Sequence, residues 1–397
     1  MGKRAARTIE SLGMQLRIAY AGGGTGGHVY PALAIDDAVR ARYGSAYRAR
    51  FFGNRDGLEA RLVTTLPLSF VPSAPLRRTA SLDTLRTLAR NAAGVFIALR
   101  ALAEFRPDVV IATGGYVCFP VVVAARILRA VRLVRCRIAL LEINVTPGLT
   151  NRLLRPLVDE VWTTYAASSA SFAGKAVQTG APVRASLHIA KDAASARGRL
   201  GLDPDRTTVV VMGGSQGARS INEAVAAMVT RRAPVENAQV LHVSGERDHA
   251  YMQAEERTLA EGNRVRLVPY LDDPADAYAA ADAIVARAGA STLAEIALAA
   301  VPAVLVPYPH AADQHQAHNA AVFAEGGAAV VVPDRELDGD RLWWALREVL
   351  QPDRNAAMRN AARALVPRNA EAAIVARIAA ALAPRVDGAA EANDEVP

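Results

Sequence analysis

The sequence predicts an α/β protein made of two similar parallel-sheet domains, and three observations carry that prediction. From Leu16 onward short apolar runs alternate with Ala- and Leu-rich helical patterns, the rhythm of strands joined by crossover helices. The rhythm stops in a polar stretch, "HIAKDAASARGRLGLDPDR" at 188–206, and restarts at Thr207. Both halves open alike, with an apolar strand, a glycine turn and a helix start: "IAYAGGGTGGHVYPALA" at 18–34 and "TTVVVMGGSQGARSINEAVAAM" at 207–228.

Taken in order, the first half offers strands at 16–21, 48–53, 109–112, 138–142 and 160–164. The second offers its opening strand after Thr207 and further strands at 238–243, 265–268, 283–286, 303–306 and 328–332. Residues 1–13 are polar and are expected to fray. Helices close the chain to about Ala383, and the small, acidic tail 384–397 is expected to be disordered. The domain bounds are therefore 14–182 and 183–365. Two α/β units in one chain suggest a ligand held in a cleft, since ligands lie beyond the carboxyl ends of parallel strands.

Composition narrows the function classes. The chain has 397 residues, 51% hydrophobic and 21% charged, which suits two domains with real cores and excludes global disorder. Two cysteines, Cys118 and Cys136, exclude a disulfide framework and fit a reducing cytoplasm, and no Cys/His spacing suits a metal. No apolar run reaches the roughly 18 residues of a membrane span, and the N-terminus lacks the apolar core of a signal peptide. A net charge of +7 and a pI near 9.7 point to anionic partners: phosphates, nucleic acid or an anionic lipid surface. Aromatics are only 5% and no RNA-recognition signature is present, so nucleic acid is set aside.

Gly22-x-Gly24-x-x-Gly27 matches the dinucleotide fingerprint, but the acid that should close the second strand about 20 residues on is missing; that strand ends Phe51-Phe52-Gly53 and the first acid after it is Asp56. A phosphate cradle at a helix N-terminus is the better reading. His28 then stands at the start of that helix, and histidine suits general-base work near neutral pH. "GGSQGA" at 213–218 and "TGGY" at 113–116 are two further glycine turns at strand ends. In "RAGASTLAEIALAAVPAVLVPYPHAADQHQAHNA" at 287–320, Thr292–Ala300 reads as a helix, with Glu295 in its first turn; a carboxylate there suits the helix dipole or a ribose diol. The run His310, Asp313, Gln314, His315, Gln316 and Asn319 gathers polar groups in one loop, with metal ligation as the competing idea.

Together these residues resemble the MurG family of N-acetylglucosaminyltransferases. The pieces are "GGTGGHVYPALA", "PDVVIATGGYV", "EIN…PGLTNRLL", "TGAPVR", "VVVMGGSQGARSIN", "YLDDPADAYAAAD", "RAGASTLAEIA" and "VPYPHAADQHQAHNA", in family order across about residues 16–325. The resemblance implies the glycosyltransferase-B architecture: two Rossmann-like domains, an interdomain cleft, an acceptor and membrane side in the first, a UDP-sugar side in the second, and a helix at about 366–383 that returns to the first. It implies His28 as base, with Glu142 as rival. For the donor it implies Thr25, Gly26, Gly27, Asn144, Arg184, Ser215, Leu271, Ala290, Ser291, Thr292, Leu293, Ala294, Glu295 and Gln316. Acceptor contacts fall to Gly24, Gly114, Gly115 and Tyr116. Two departures stand out. The family often has His-Glu-Gln-Asn where this chain has Leu141-Glu142-Ile143-Asn144, and Ser-Gly-Pro where it has Cys118-Phe119-Pro120; both changes are expected to line the acceptor side.

The reaction this implies is inverting transfer of N-acetylglucosamine from UDP-GlcNAc to the 4-hydroxyl of the MurNAc-pentapeptide of undecaprenyl-pyrophosphate-linked lipid I, giving lipid II. His28 takes the hydroxyl proton, and helix N-termini behind Ser215 and Ala290 hold the departing diphosphate without a metal or other cofactor. Alternatives are a UDP-sugar transferase acting on another lipid or natural product, a UDP-GlcNAc 2-epimerase, or an inactive scaffold. The implied partners are UDP-GlcNAc, lipid I, an anionic membrane surface at the cytoplasmic face, and proteins of cell-wall synthesis and division. Two basic, apolar stretches suit the peripheral membrane role: 75–102, with Arg77, Arg78, Arg86 and Arg90, and 125–137, with Arg126, Arg129, Arg132, Arg135 and Arg137.

Overall fold

The computed structural model describes residues 15–75, 82–214, 217–231, 238–259 and 265–394. The chain forms two compact units, one running to Arg184 and joined by the residues from Asn369 on, the other spanning Ala185–Arg368.

Among the described residues the first unit holds a seven-stranded parallel sheet. Its strands are β1 (Leu16–Gly22), β2 (Tyr47–Gly53), β3 (Leu68–Phe70), β4 (Val109–Gly114), β5 (Arg137–Glu142), β6 (Glu160–Thr163) and β7 (Ala176–Gln178), in the order β3-β2-β1-β4-β5-β6-β7. β1 is an interior strand, Ile18 opposite Val109 on one side and Ala49 on the other. Ile18, Ala19, Tyr20 and Ala21 are all fully buried. This is why the central strands read as unbroken apolar runs rather than alternating ones: crossover helices cover both faces. The order reverses between β1 and β4, so the loops after these two strands flank the switch point, where a doubly wound sheet offers its crevice.

The second unit repeats the plan with β8 (Thr208–Met212), β9 (Gln239–Val243), β10 (Val265–Val268), β11 (Ala283–Ala286), β12 (Ala303–Leu305) and β13 (Ala329–Val331). Their order is β10-β9-β8-β11-β12-β13, again parallel. Its switch point lies between β8 and β11. Val209, Val211, Val285 and Val304 pack with Ile221, Leu342, Leu346 and Met358 into one core.

Helix Ala370–Asp394 belongs to the first unit. Glu371 accepts from the Val183 amide at 2.6 Å, and Arg377 forms an ion pair with Glu160 on β6. The stretch 384–394, expected as disordered tail, is helical in backbone; residues 395–397 lie outside the described set. β3 and β7 were not expected. Each has three residues at a sheet edge, "LSF" and "AVQ", with a polar residue that breaks any apolar run, and each is paired because a neighbour offers an open edge.

Candidate active site

In the first unit the glycine loop leaves β1 and turns into helix Gly26–Tyr43. Thr25 is the extended cap residue, and Gly26 and Gly27 open the first turn. His28 follows, half-buried. Its Nδ1 lies 2.9 Å from the carbonyl oxygen of Gly23 and 3.3 Å from Thr25 Oγ1. A carbonyl can only accept, so Nδ1 carries the proton and Nε2 is the nitrogen with the lone pair. Thr113 Oγ1 donates to the His28 backbone carbonyl at 2.6 Å.

The "TGGY" turn after β4 receives the imidazole. Gly114 and Gly115 have φ of 118° and 84°, a region that favours glycine. A Cβ on Gly114 would stand 2.5 Å from His28 Cδ2, and one on Gly115 would stand 2.2 Å from the Gly23 oxygen. These two glycines, expected as acceptor contacts, are bare because the histidine ring and the first loop occupy that space. The Tyr116 ring lies against Gly24, at 3.0 Å from where a Cβ would be.

Sequence reasoning missed Glu59. It is fully buried at the start of the short helix Glu59–Leu62 and lies directly under the glycine loop. Its Oε2 accepts from the Gly24 amide at 3.1 Å and its Oε1 from the Asn54 amide at 2.7 Å. A Cβ on Gly23 or Gly57 would fall 2.3 Å from a Glu59 carboxylate oxygen, and one on Gly53 would fall 2.5 Å from its Cγ. The glycine loop is therefore not an open phosphate cradle throughout: the Gly24 amide is directed at a carboxylate of the same chain. The signal available in sequence was "GNRDGLEA" at 53–60, two glycines followed two residues later by Glu59.

Glu142 ends β5 and is 2% exposed. Its carboxylate accepts from the Asn144 amide (3.0 Å), Asn144 Nδ2 (3.1 Å), the Gly148 amide (3.0 Å) and Asn151 Nδ2 (2.9 Å). Burial pushes its carboxyl above the ordinary value of 4.5, against the pull of those donors. With four donors on two oxygens it clamps the loop that presents Asn144, an arrangement unlike that of a base awaiting a hydroxyl. The departures from the family pattern are also interior. Leu141 and Ile143 are 1% and 4% exposed. Cys118 is fully buried, shares its Sγ with the Ala21 carbonyl at 3.2 Å and the Gly114 carbonyl at 3.1 Å, and burial pushes its thiol up to about 12. None of the three lines an open surface, contrary to expectation. Cys136 is likewise buried and free. Arg184 belongs to this unit and stacks over Tyr30, two residues past His28, at 4.0 Å from the ring centroid.

In the second unit, Ser215 and its neighbour Gln216 lie outside the described residues. Gly217 has a φ of 75°, and a Cβ on it would meet the Ser244 carbonyl at 2.4 Å. β11 leads into helix Ala290–Ala299, capped by Gly289, which supplies no side-chain acceptor to its first turn. Ala290, Leu293 and Ala294 are buried, and Ser291 and Thr292 are half-buried. Glu295 is 9% exposed, and Tyr278 donates to its Oε2 at 2.8 Å. Gln316, on helix His315–Glu325, uses Oε1 to accept from the Tyr308 amide at 2.9 Å. Just before that helix Asp313 and Gln314 both hold left-handed φ, 49° and 51°, strain of a sort that concentrates at functional loops. Asn319 donates to the Ala288 carbonyl, tying this helix to the "RAGA" turn. Leu271 is half-buried in the loop after β10.

Arg287, not singled out in sequence, braces the same turn: it pairs with Asp334 at 2.5 Å and bonds Ser220 Oγ and the Val306 carbonyl. Among the described residues no group of three or more His, Cys, Asp or Glu side chains is arranged to hold a metal.

Comparison with known proteins agrees with this layout. The glycosyltransferase family 28 N-terminal domain matches residues 18–163, and the family 28 C-terminal domain matches residues 208–377. A UDP-N-acetylglucosamine–N-acetylmuramyl-(pentapeptide) pyrophosphoryl-undecaprenol N-acetylglucosamine transferase of Moorella thermoacetica is 42% identical, over 91% of this chain and 97% of its own. The protein of the same description from Desulfitobacterium hafniense is 38% identical over 88% and 95%. The crystal structure of Acinetobacter baumannii MurG superposes with a TM-score of 0.70 at 26% identity, covering 91% of this chain and 99% of that one. A UDP-N-acetylglucosamine 2-epimerase from Listeria monocytogenes, at 12% identity and a TM-score of 0.62, shares the fold alone. Two glycosyltransferase-B type units with these loops at their switch points, and this identity over nine-tenths of the sequence, place the chain in the MurG family of glycosyltransferase family 28.

Proposed function

We propose that this protein transfers N-acetylglucosamine from UDP-GlcNAc to the 4-hydroxyl of N-acetylmuramyl-(pentapeptide) pyrophosphoryl-undecaprenol, with inversion at the anomeric carbon. One geometrical observation carries the chemistry: the Gly23 carbonyl holds His28 Nδ1–H at 2.9 Å, which makes Nε2 the basic nitrogen. The acceptor hydroxyl gives its proton to Nε2 as its oxygen bonds to the anomeric carbon, and the bond from that carbon to the UDP oxygen breaks. The imidazolium then returns its proton to water. A positioned base of this kind contributes roughly 10²–10⁴-fold.

The leaving group gains negative charge. The N-terminus of helix Ala290–Ala299 carries about half a positive charge, and preorganised amides stabilise charge where it develops. Glu295, held by Tyr278, accepts from the ribose of the donor in this reading, and Gln316, Asn144 and Arg184 bind the rest of the nucleotide sugar together with Ser215.

The lipid acceptor requires work at a membrane surface. No helix among the described residues is long and apolar enough to cross one. Helix Leu82–Phe105 instead exposes Leu85 (64%), Leu88 (53%) and Phe96 (72%), at i, i+3 and i+11 along one stripe. Val131 (65%) and Leu133 (52%) are exposed beside Arg132 and Arg135, after helix Cys118–Ala130, and the two helices pack on each other. Apolar side chains interleaved with arginines suit an anionic leaflet at the cytoplasmic face. Arg129 does not share that role: it pairs with Asp159 at 2.6 Å and bonds the Cys136 carbonyl. Arg77 and Arg78 lie outside the described residues.

The test is UDP release and product linkage with and without lipid-linked muramyl pentapeptide. Acceptor-dependent release with a β-linked disaccharide product is expected, lost in His28→Gln. Release of UDP without acceptor would favour an epimerase, and full turnover by His28→Gln would remove His28 as base.

A further inference from the structure

Beneath the first glycine loop lies a buried acid that the mechanism does not use. Glu59 is fully buried, and three glycines (Gly23, Gly53 and Gly57) stand where any Cβ would collide with its side chain. A charge in that position is costly unless it is hydrogen-bonded. The donors it has are backbone amides, Asn54 at 2.7 Å and Gly24 at 3.1 Å. The Gly24 amide belongs to the same peptide unit as the Gly23 carbonyl, and that carbonyl accepts the Nδ1 proton of His28 at 2.9 Å.

We propose that Glu59 is a positioning residue for His28, acting through the Gly23–Gly24 peptide: the carboxylate holds one end of the peptide and the imidazole the other. The inference rests on the reading of His28 as base. A peptide is a resonant, planar unit. A carboxylate on its N–H polarises it, so its oxygen becomes a stronger acceptor, and hydrogen bonds in such a chain reinforce one another. Two consequences follow for the imidazole. The Nδ1–H tautomer is fixed, which keeps the lone pair on Nε2. The imidazolium formed when Nε2 takes the hydroxyl proton is stabilised by a carboxylate it never touches. This is the work an aspartate does in direct contact with histidine in Ser-His-Asp enzymes, here relayed through one peptide. A purely structural acid under the loop would hold its shape, but it would leave the affinity of His28 for protons unchanged when its charge is removed.

The experiment is a titration of the full chain carrying ¹³C-labelled histidine, read by NMR, with the His28 signal assigned by its loss in His28→Gln. In Glu59→Gln the His28 midpoint is expected to fall by about one pH unit. The acid limb of kcat against pH should move down by the same amount. kcat should fall about 10- to 100-fold, as when a carboxylate that orients a metal-bound histidine is removed, with the KM for UDP-GlcNAc unmoved. An unmoved His28 midpoint in a folded variant that still binds UDP overturns the proposal. Should Glu59→Gln fail to fold, the unaltered chain decides: the Gly24 amide resonance must shift with the His28 midpoint, and a flat Gly24 resonance overturns the relay. Failure of the base reading looks different. There the midpoint shifts in Glu59→Gln while His28→Gln retains its turnover.

Discussion

Thr113 Oγ1 donates to the backbone carbonyl of His28 at 2.6 Å, across 85 residues of sequence. The same hydroxyl lies 3.3 Å from the Ala21 carbonyl, so one side chain at the end of β4 ties the end of β1 to the first turn of the helix that carries the base. Thr113 is 1% exposed, and replacing it by valine keeps the shape but strands a buried carbonyl at a cost of about 1–3 kcal/mol. We expect Thr113→Val to lower the melting temperature and to reduce kcat several-fold, with the donor KM unchanged. Kinetics at saturating acceptor, with a thermal melt, check this; a variant that melts lower but turns over normally would reduce Thr113 to a stability role.

Tyr278 and Glu295 form the corresponding pair in the second unit. Loss of Glu295 in Glu295→Ala should raise the KM for UDP-GlcNAc by what a charged hydrogen bond contributes, about 1.5–3 kcal/mol. Tyr278→Phe removes the donor that fixes Glu295 Oε2 at 2.8 Å and should raise the same KM by a smaller factor, with kcat little changed in both. Calorimetric titration with UDP gives an independent reading. Donor affinity indifferent to both changes would take Glu295 out of the nucleotide site.

The sequence displayed the α/β class, both glycine turns that open the units, and the strands of each sheet centre, because a strand buried on both faces must be apolar throughout. The edge strands β3 and β7 were not visible: "LSF" and "AVQ" each carry a polar residue in only three, whereas the equally short edge strand β13 sits in the unbroken apolar run "AAVVV" at 328–332. At the site, the Thr25–His28 segment was legible as a motif because its chemistry and its backbone demand coincide there. Glu59 was not. It lies 35 residues from Gly24 in a polar stretch that reads as an ordinary loop, and only the folded sheet brings the two together. Arg129 misled for a related reason. Its run of arginines reads as one basic face, yet Asp159, which also accepts from the Ile138 amide at 2.8 Å, removes it from that face. A periodic pattern reveals which side chains share a face and is silent about a partner elsewhere in the chain.

His242 gives a pH prediction in the second unit. It is 1% exposed on β9 and bonds Asn222 Oδ1 through Nε2 at 2.9 Å. Burial, with a smaller contribution from the charge of His249, lowers its pKa from 6.5 to about 4. The fold thus prefers the neutral ring. Below pH 6.5 the unfolded chain takes up this proton and the folded chain does not. Stability from this group is therefore complete above about pH 6.5 and declines as pH falls toward 4, by ~3 kcal/mol at most. In His242→Gln the stability of the unit should fall less steeply over that window. Urea unfolding at pH 7, 5.5 and 4.5 measures it, and equal slopes in both proteins would show that another group governs acid sensitivity.

The membrane face can be separated from the core by choosing arginines according to their partners. Arg132 and Arg135 are exposed, beside Val131 and Leu133. Reversing both to glutamate should weaken binding to anionic vesicles by about 2–4 kcal/mol at low salt, at roughly 1 kcal/mol for each charge removed or reversed, and by less as salt screens the surface. Leu88→Ser with Phe96→Ser should weaken binding too, but without that salt dependence, since the loss is apolar. Both variants should keep their melting temperatures and their turnover of a short, water-soluble acceptor, and lose turnover of the long-chain lipid in vesicles. Arg129→Glu should behave otherwise. It places a second acid against Asp159, whose side chain is 19% exposed, so it should lower the melting temperature and depress turnover of both acceptors together. If vesicle binding survives both surface pairs, the exposed stripe on helix Leu82–Phe105 and the arginines after helix Cys118–Ala130 serve something other than a lipid leaflet. If Arg129→Glu leaves the melting temperature untouched and weakens only vesicle binding, the Asp159 pair is dispensable and Arg129 belongs to the membrane face after all.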